Sequence, residues 1–241
     1  RGLGDVYKRQ TMDHSQLHSN ISQVKSRISS AASTVNRVAG DIRLIAVSKT
    51  KPVEEVRAAF HGGISDFGEN YVTEAVDKCI QCNDLDITWH FLGPLQSNKT
   101  RQVAEYFDWV HSVDRLKIAQ RLNAQRPAER APLKVCIQVN MPFEASKSGV
   151  VSSDELLELA TAVNNFDRLD LRGIMAIPAP CSELSRQREQ FGRIAGLLQT
   201  EGLPVEMTEL SMGMSADMEA AIAEGSTMVR IGTDIFGARY T

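Results

Sequence analysis

The chain is poor in cysteine: Cys79, Cys82, Cys136 and Cys181 are its only four in 241 residues. They are too few and too scattered for the disulfide framework of a secreted domain. A reducing compartment fits, and the cytoplasm is the expected location. Cys79-Ile-Gln-Cys82 has metal-ligand spacing, yet no second Cys or His pair stands at a matching distance, so surface or buried thiols are expected and no metal. Long apolar runs are missing as well. None approaches the roughly 20 residues that span a bilayer, and no apolar core follows the basic start as a signal peptide requires. There is also no excess of one charge: 27 Lys and Arg face 30 Asp and Glu, a net charge of -3. Nucleic acid is therefore not an expected partner. Nor is there a glycine-rich turn after the first strand-like run, where the sequence reads Ser48-Lys-Thr-Lys-Pro52. A dinucleotide-binding doubly wound sheet would carry one there.

What is present is a globular composition, 42% hydrophobic and 24% charged, enough to bury a sizeable core. Residues 1–10 show no periodicity and join abruptly to a helical pattern. They read as a non-native leader, and the folded domain is expected over residues 11–241. Leu17, Ile21, Val24, Ile28, Ala31, Val35 and Val38 recur at steps of four and three, one face of a long amphipathic helix that Gly40 is expected to stop. Strand-like runs come next, over residues 42–48, 64–67, 87–92, 109–112, 134–139, 169–177, 205–210 and 227–231. Helical patterns over 53–61, 71–82, 99–106, 115–125, 154–164, 183–200 and 216–223 separate them. Strict alternation implies parallel strands with helical crossovers, and about eight units in this length favour an α/β fold, a single (β/α)8 TIM-type barrel with an extra N-terminal helix. No linker, low-complexity segment or internal repeat divides it.

The stretch Leu44-Ile-Ala-Val-Ser-Lys-Thr-Lys51 places Lys49 at the end of an apolar run, just before Pro52. Burial favours the neutral amine, the form that attacks an aldehyde to make a Schiff base. A lysine at a strand end also snorkels to solvent, the reading that suits Lys51. For Lys49 both readings stand on this run alone.

A barrel builds its site at the C-terminal ends of its strands, and polar residues collect there. Lys49 follows the first run, Glu69 and Asn70 the second; His90 and His111 close the third and fourth; Asn140 follows the fifth and Ser211 the seventh. Arg230, Gly232 and Thr233 close the eighth. Ser211-Met-Gly-Met-Ser215 and Arg230-Ile-Gly-Thr233 occupy the two loops that commonly bind phosphate in this fold. Small residues admit backbone N–H groups to an anion, hydroxyls add donors, and a helix start adds a positive dipole end. Ordinary capping by Ser211 or Ser215 is the alternative. Arg230 stands among Met228, Val229 and Ile231, so its guanidinium is either paired, with Glu209 or another carboxylate, or turned to a ligand. Against a heterocyclic nitrogen it would donate a hydrogen bond and discourage protonation there. No carboxylate spacing around His90 and His111 makes a metal triad, and they read as core or hydrogen-bonded histidines. Lys147, in a polar loop, reads as surface.

Taken together, Ala46-Val-Ser-Lys-Thr-Lys-Pro52, Phe67-Gly-Glu-Asn-Tyr71, Trp89-His-Phe-Leu-Gly-Pro-Leu-Gln-Ser-Asn-Lys99, Ser211-Met-Gly-Met-Ser215 and Val229-Arg-Ile-Gly-Thr233 resemble the pyridoxal phosphate homeostasis proteins. Several long motifs in order make the likeness specific. The resemblance implies a barrel like the N-terminal domain of alanine racemase, with pyridoxal 5'-phosphate held as an aldimine on Lys49. It places Ser211, Gly232 and Thr233 at the phosphate, Arg230 at the pyridine nitrogen and Asn70 in the cofactor pocket. The implied role is buffering and delivery of the cofactor to apoenzymes, without catalytic turnover, by a protein expected to be monomeric. Racemisation needs a second acid/base that related racemases take from a further domain, and the chain given ends at Thr241. An extension of this reading gives Lys147 a part in release. Two rivals remain: a pyridoxal-phosphate racemase or lyase using His90, His111 or Tyr71 as base, and a cofactor-free Schiff-base enzyme using Lys49 directly.

Overall fold

In the computed structural model residues 13–140 and 148–238 are described; the expected leader over residues 1–10 and Lys147 lie outside them. Helix α1 (His14–Thr34) buries Leu17, Ile21, Val24, Ile28, Ala31 and Ala32 along one stripe, as its period requires. Asp13 caps it, accepting from the Ser15 N–H at 3.0 Å. The helix stops before Gly40. Asn36 adopts φ 57, a left-handed turn that asparagine tolerates, and residues Ala39–Asp41 form a separate short 3-10 turn.

Eight parallel strands then close into a barrel in sequence order: β1 (Arg43–Val47), β2 (Asp66–Glu69), β3 (Thr88–Phe91), β4 (Trp109–Val113), β5 (Leu133–Val139), β6 (Leu169–Ala176), β7 (Glu209–Ser211) and β8 (Met228–Ile231). β8 pairs back onto β1 with Ile45 opposite Arg230, and Ile45 also faces Asp66 of β2. The crossovers are α2 (Val53–His61), α3 (Val72–Gln81), α4 (Thr100–Tyr106), α5 (Leu116–Gln125), α6 (Ser153–Asn164), α7 (Leu184–Gly196) and α8 (Met218–Ala223). These match the expected order. One further helix, α9 (Thr233–Phe236), occupies what was expected to be tail.

Strands buried on both faces give near-continuous apolar runs, and two shells of packing result. The large outer core lies between strands and helices. A small inner cluster, Ile45, Leu92, Trp109, Cys136, Met175 and Met228, fills part of the barrel. The rest of the interior is polar. β7 is shorter and later than the expected 205–210, so Ser211 ends the strand instead of opening the loop beyond it. Cys79 and Cys82 are buried thiols at the end of α3. Among the described residues no helix is long and apolar enough to cross a membrane.

Candidate functional site

At the C-terminal mouth of the barrel a cavity of about 270 Å³ is lined by Val47, Lys49, Asn70, Leu92, Ile177, Met214, Ser215, Ala216, Arg230, Gly232 and Thr233. The strands bring Lys49, Asn70, Arg230, Gly232 and Thr233 together here, as the sequence led one to expect. Lys49 is half-buried in the turn after β1. Thr50 beside it takes φ 64, a conformation that costs a β-branched residue energy and that its surroundings must enforce.

Those surroundings centre on Lys78 of α3, a residue not among those expected at the site. Its ammonium donates to the Ser48 carbonyl at 2.7 Å, to Glu69 Oε1 at 2.8 Å and to Glu74 Oε1 at 2.6 Å. Glu74 Oε1 in turn accepts from the Thr50 N–H at 2.6 Å, and Glu69 Oε1 accepts from the Ser48 hydroxyl at 2.7 Å. The turn is thus gripped on both sides of Lys49. Burial pushes the Glu69 carboxyl up, against the pull of Lys78. The only hint in the sequence was the i,i+4 spacing of Glu74 and Lys78 on one helix.

Lys51 does not snorkel. It is buried, and its ammonium donates to the Phe236 carbonyl at 2.7 Å, tying the β1 turn to α9. Gly93, in the loop after β3, lies so close under Asn70 that a methyl there would stand 2.9 Å from Asn70 C and Cα.

Ser211 does not line the cavity. It is fully buried inside the barrel, where its hydroxyl accepts from Arg230 Nη1 at 2.8 Å and lies 2.7 Å from His111 Nδ1. Ser215, three residues beyond Met212, takes the place at the cavity wall. Arg230 also donates from Nη2 to the Ala176 carbonyl at 3.0 Å, and it forms no ion pair with Glu209, which accepts instead from Thr227 Oγ1 at 2.6 Å. Burial lowers the guanidinium to about 10, which Asp217 partly opposes; it is still a cation near neutrality.

His90 and His111 are fully buried within the barrel and hydrogen-bonded to each other, Nδ1 to Nε2, at 2.9 Å. Neither lines the cavity. Burial pulls both below the ordinary imidazole value, His111 furthest. Tyr71 is exposed and borders a neighbouring groove with Pro94 and Lys99. Asn140 is buried at the end of β5, where its N–H donates to the Val150 carbonyl at 2.9 Å.

A larger cavity, about 570 Å³, opens at the other end of the strands beside Arg43, Asp66, Glu209 and Thr227. Its polar groups are matched to one another, Arg43 to Asp66 at 2.8 Å and Lys25 to the Gly63 carbonyl at 2.8 Å. The smaller cavity carries the candidate site. It combines an amine, a guanidinium, two hydroxyls, an amide and a helix start with the apolar walls Val47, Leu92, Ile177 and Met214. That donor set suits a flat heteroaromatic ring carrying an aldehyde and an anionic group, with the Gly232–Thr233 turn, where α9 starts, on the cavity wall.

The sequence profile of the alanine racemase N-terminal domain matches residues 13–240. A pyridoxal phosphate homeostasis protein of Pseudomonas aeruginosa is 54% identical over 225 residues, 93% of this chain and 96% of that protein. The solved structure of PipY from Synechococcus elongatus with PLP bound is 34% identical, with a TM-score of 0.78 over 92% of this chain and all of PipY (100%). Alanine racemase from E. faecalis shares the fold, at 18% identity and a TM-score of 0.72, over 59% of its own length.

Proposed function

We propose, from the premise that this chain belongs to the alanine racemase N-terminal domain family and within it to the pyridoxal phosphate homeostasis proteins, that it binds pyridoxal 5'-phosphate in the cavity at the barrel mouth. It does so as a cytoplasmic monomer that buffers the cofactor and hands it to apoenzymes. When bound, the cofactor supplies an aldehyde that condenses reversibly with amines. Lys49 is the amine that engages it, and the observation that carries the reading is the convergence of Lys49 and Arg230 with the Gly232–Thr233 turn on one cavity.

Each residue then has a task. Arg230 is a donor and a cation near neutrality, so it hydrogen-bonds the ring nitrogen and disfavours a proton there. Gly232, Thr233 and Ser215 receive the phosphate with backbone N–H groups and hydroxyls, as small residues at a helix start do. Asn70, after β2, flanks the Lys49 strand on one side, as Arg230 on β8 does on the other. Ser211 acts one layer below, through Arg230.

Carriage fits this site better than turnover. A racemase or lyase needs a base that reaches the substrate carbon, yet His90 and His111 are committed to each other inside the barrel and Tyr71 belongs to the adjoining groove. Reduction with borohydride after incubation with pyridoxal 5'-phosphate, followed by peptide mapping, is expected to place a phosphopyridoxyl group on Lys49; label elsewhere and none on Lys49 overturns the assignment. Transfer to an apoenzyme, with Lys49→Ala as control, tests the purpose. Solvent deuterium appearing at the α-carbon of added amino acids would restore the enzyme reading.

A further inference from the structure

The polar interior of the barrel forms one continuous path across strands β2, β3, β4, β7 and β8. Asp66 Oδ1 on β2 lies 3.0 Å from His90 Nε2 on β3. His90 Nδ1 lies 2.9 Å from His111 Nε2 on β4. His111 Nδ1 lies 2.7 Å from the Ser211 hydroxyl on β7, which accepts from Arg230 on β8 at 2.8 Å. All but Asp66 are closed off from solvent or nearly so, and Asp66 borders the cavity at the other end of the strands from Lys49.

The two ends of this path fix its direction. A guanidinium only donates, so Ser211 Oγ accepts from Arg230, and its own proton has an acceptor at 2.7 Å if His111 Nδ1 is bare. An ionised carboxylate only accepts. Asp66 is held ionised, at about 2: burial opposes this, but hydrogen bonds from His90, Arg43 and Ser65 outweigh it. His90 Nε2 therefore donates to Asp66, which leaves His90 Nδ1 to accept from His111 Nε2. Every atom along the path is satisfied in that one arrangement. We infer that Asp66 is a positioning residue for Arg230, acting through a one-way chain of hydrogen bonds in which His90 and His111 are both neutral and carry their single proton on Nε2.

The alternative arrangement shows what the chain prevents. A proton added at His90 Nδ1 reverses the bond to His111, whose own proton then moves to Nδ1 and points at Ser211. The serine oxygen would have to accept from His111 and Arg230 at once, with its hydroxyl proton displaced from its acceptor. A second positive charge, carried by His90, would also enter a low-dielectric interior that already holds Arg230, and burial disfavours it there against the pull of Asp66. Asp66 draws the histidine protons toward itself and so keeps the serine free to hold the guanidinium. His90, stacked on Trp109 at 5.6 Å between ring centres, is fixed in plane for this.

The inference rests on the cofactor reading only for its purpose, the steady placement of Arg230 against the ring nitrogen. Its test uses the full chain without cofactor. Long-range proton–nitrogen correlation spectra of 15N-histidine-labelled protein near neutral pH are expected to show His90 and His111 wholly as neutral Nε2–H tautomers. Either ring protonated, or carrying its proton on Nδ1, overturns the chain. In Asp66→Leu the acceptor at the end is gone, and His111, which Asp66 does not touch, is expected to shift toward the Nδ1–H form. If that variant does not fold, Asp66→Asn replaces it, with a mixed tautomer population at His111 expected. His111 unchanged in a folded variant would show that its state is set locally and that Asp66 positions nothing. Titrating the wild-type sample with pyridoxal 5'-phosphate separates the two ideas, because correct tautomers without binding would overturn the cofactor reading alone.

Discussion

Lys78 Nζ sits 2.8 Å from Glu69 Oε1 and, from the same buried position, 2.7 Å from the carbonyl of Ser48, the residue before Lys49. An ion pair so placed fixes backbone. It holds the turn in which Thr50 takes its left-handed conformation, and Lys49 leaves that turn toward the cavity. Removing one member of a buried pair leaves the other charge without compensation and costs about 3–5 kcal/mol. Lys78→Met is therefore expected to lose that much in urea unfolding and to react more slowly at Lys49 with pyridoxal 5'-phosphate. Adding Glu69→Gln should recover part of the stability but not the rate, because the grip on Ser48 is still absent. A Lys78→Met protein within about 1 kcal/mol of wild type would count against the clamp.

Gly93 gives a steric test of the same site. A methyl at this position meets the Asn70 backbone, whose C and Cα would lie at 2.9 Å, and backbone cannot swing aside as a side-chain tip can. Overpacking of this kind costs about 1–3 kcal/mol. Gly93→Ala should also displace Asn70 from the cavity wall and weaken pyridoxal 5'-phosphate binding several-fold, measured by absorbance titration. Gly196→Ala, at the end of α7 where nothing lies within 4 Å, is the control and should be neutral or slightly stabilising.

The buried histidines make stability depend on pH in a definite direction. His90 and His111 have folded-state values below the ordinary 6.5, because burial penalises their charged forms. The unfolded chain then binds more protons than the folded one as pH falls past 6.5. Their contribution to stability is complete above that value and declines below it, at a limit of about 1.4 kcal/mol per pH unit for each ring. Urea midpoints taken from pH 7.5 down to pH 5 should fall, and His111→Gln should reduce the slope while lowering stability at neutral pH. A slope that is the same in wild type and His111→Gln would mean that His111 titrates as freely in the folded protein as in the unfolded one.

Much of this molecule was legible in its sequence, and the reasons are physical. Alternating buried strands and amphipathic helices leave periodicities that a single chain displays, so the barrel and its seven crossovers could be read directly. Lys49 and Arg230 stood out because a cation at or within a buried strand is costly, and Gly232 and Thr233 because small and hydroxyl residues in that loop suit an anion. Pairings that depend on distant elements left no such trace. Lys78 looks like any helix-surface lysine until α3 is laid against the β1 turn, and Lys51 looks like a snorkelling residue until α9 brings the Phe236 carbonyl to it. Asp66 shows no role until β3 sets His90 beside it. Ser211 misled for a related cause: the strand ends one residue later than its apolar run, which turns the hydroxyl inward to Arg230.

That inward turn separates two kinds of hydroxyl, and ligand chemistry can tell them apart. Ser215 and Thr233 line the cavity at the end where the phosphate is proposed to lie, whereas Ser211 is fully buried, its hydroxyl held between Arg230 and His111. A hydrogen bond to a charged group contributes about 1.5–3 kcal/mol. Thr233→Val, which keeps the shape and removes the hydroxyl, is expected to weaken pyridoxal 5'-phosphate by roughly tenfold or more on that scale, and Ser215→Ala to act in the same direction. Neither should change the affinity for pyridoxal, which has the same ring and aldehyde but no phosphate. Ser211→Ala frees the Arg230 guanidinium at the ring end and should weaken both ligands by a similar factor. Absorbance titrations of the three variants with the two aldehydes decide the matter. If Ser211→Ala discriminates against the phosphorylated ligand alone, Ser211 belongs to the phosphate site after all; if Thr233→Val weakens both equally, the Gly232–Thr233 turn does not hold the phosphate.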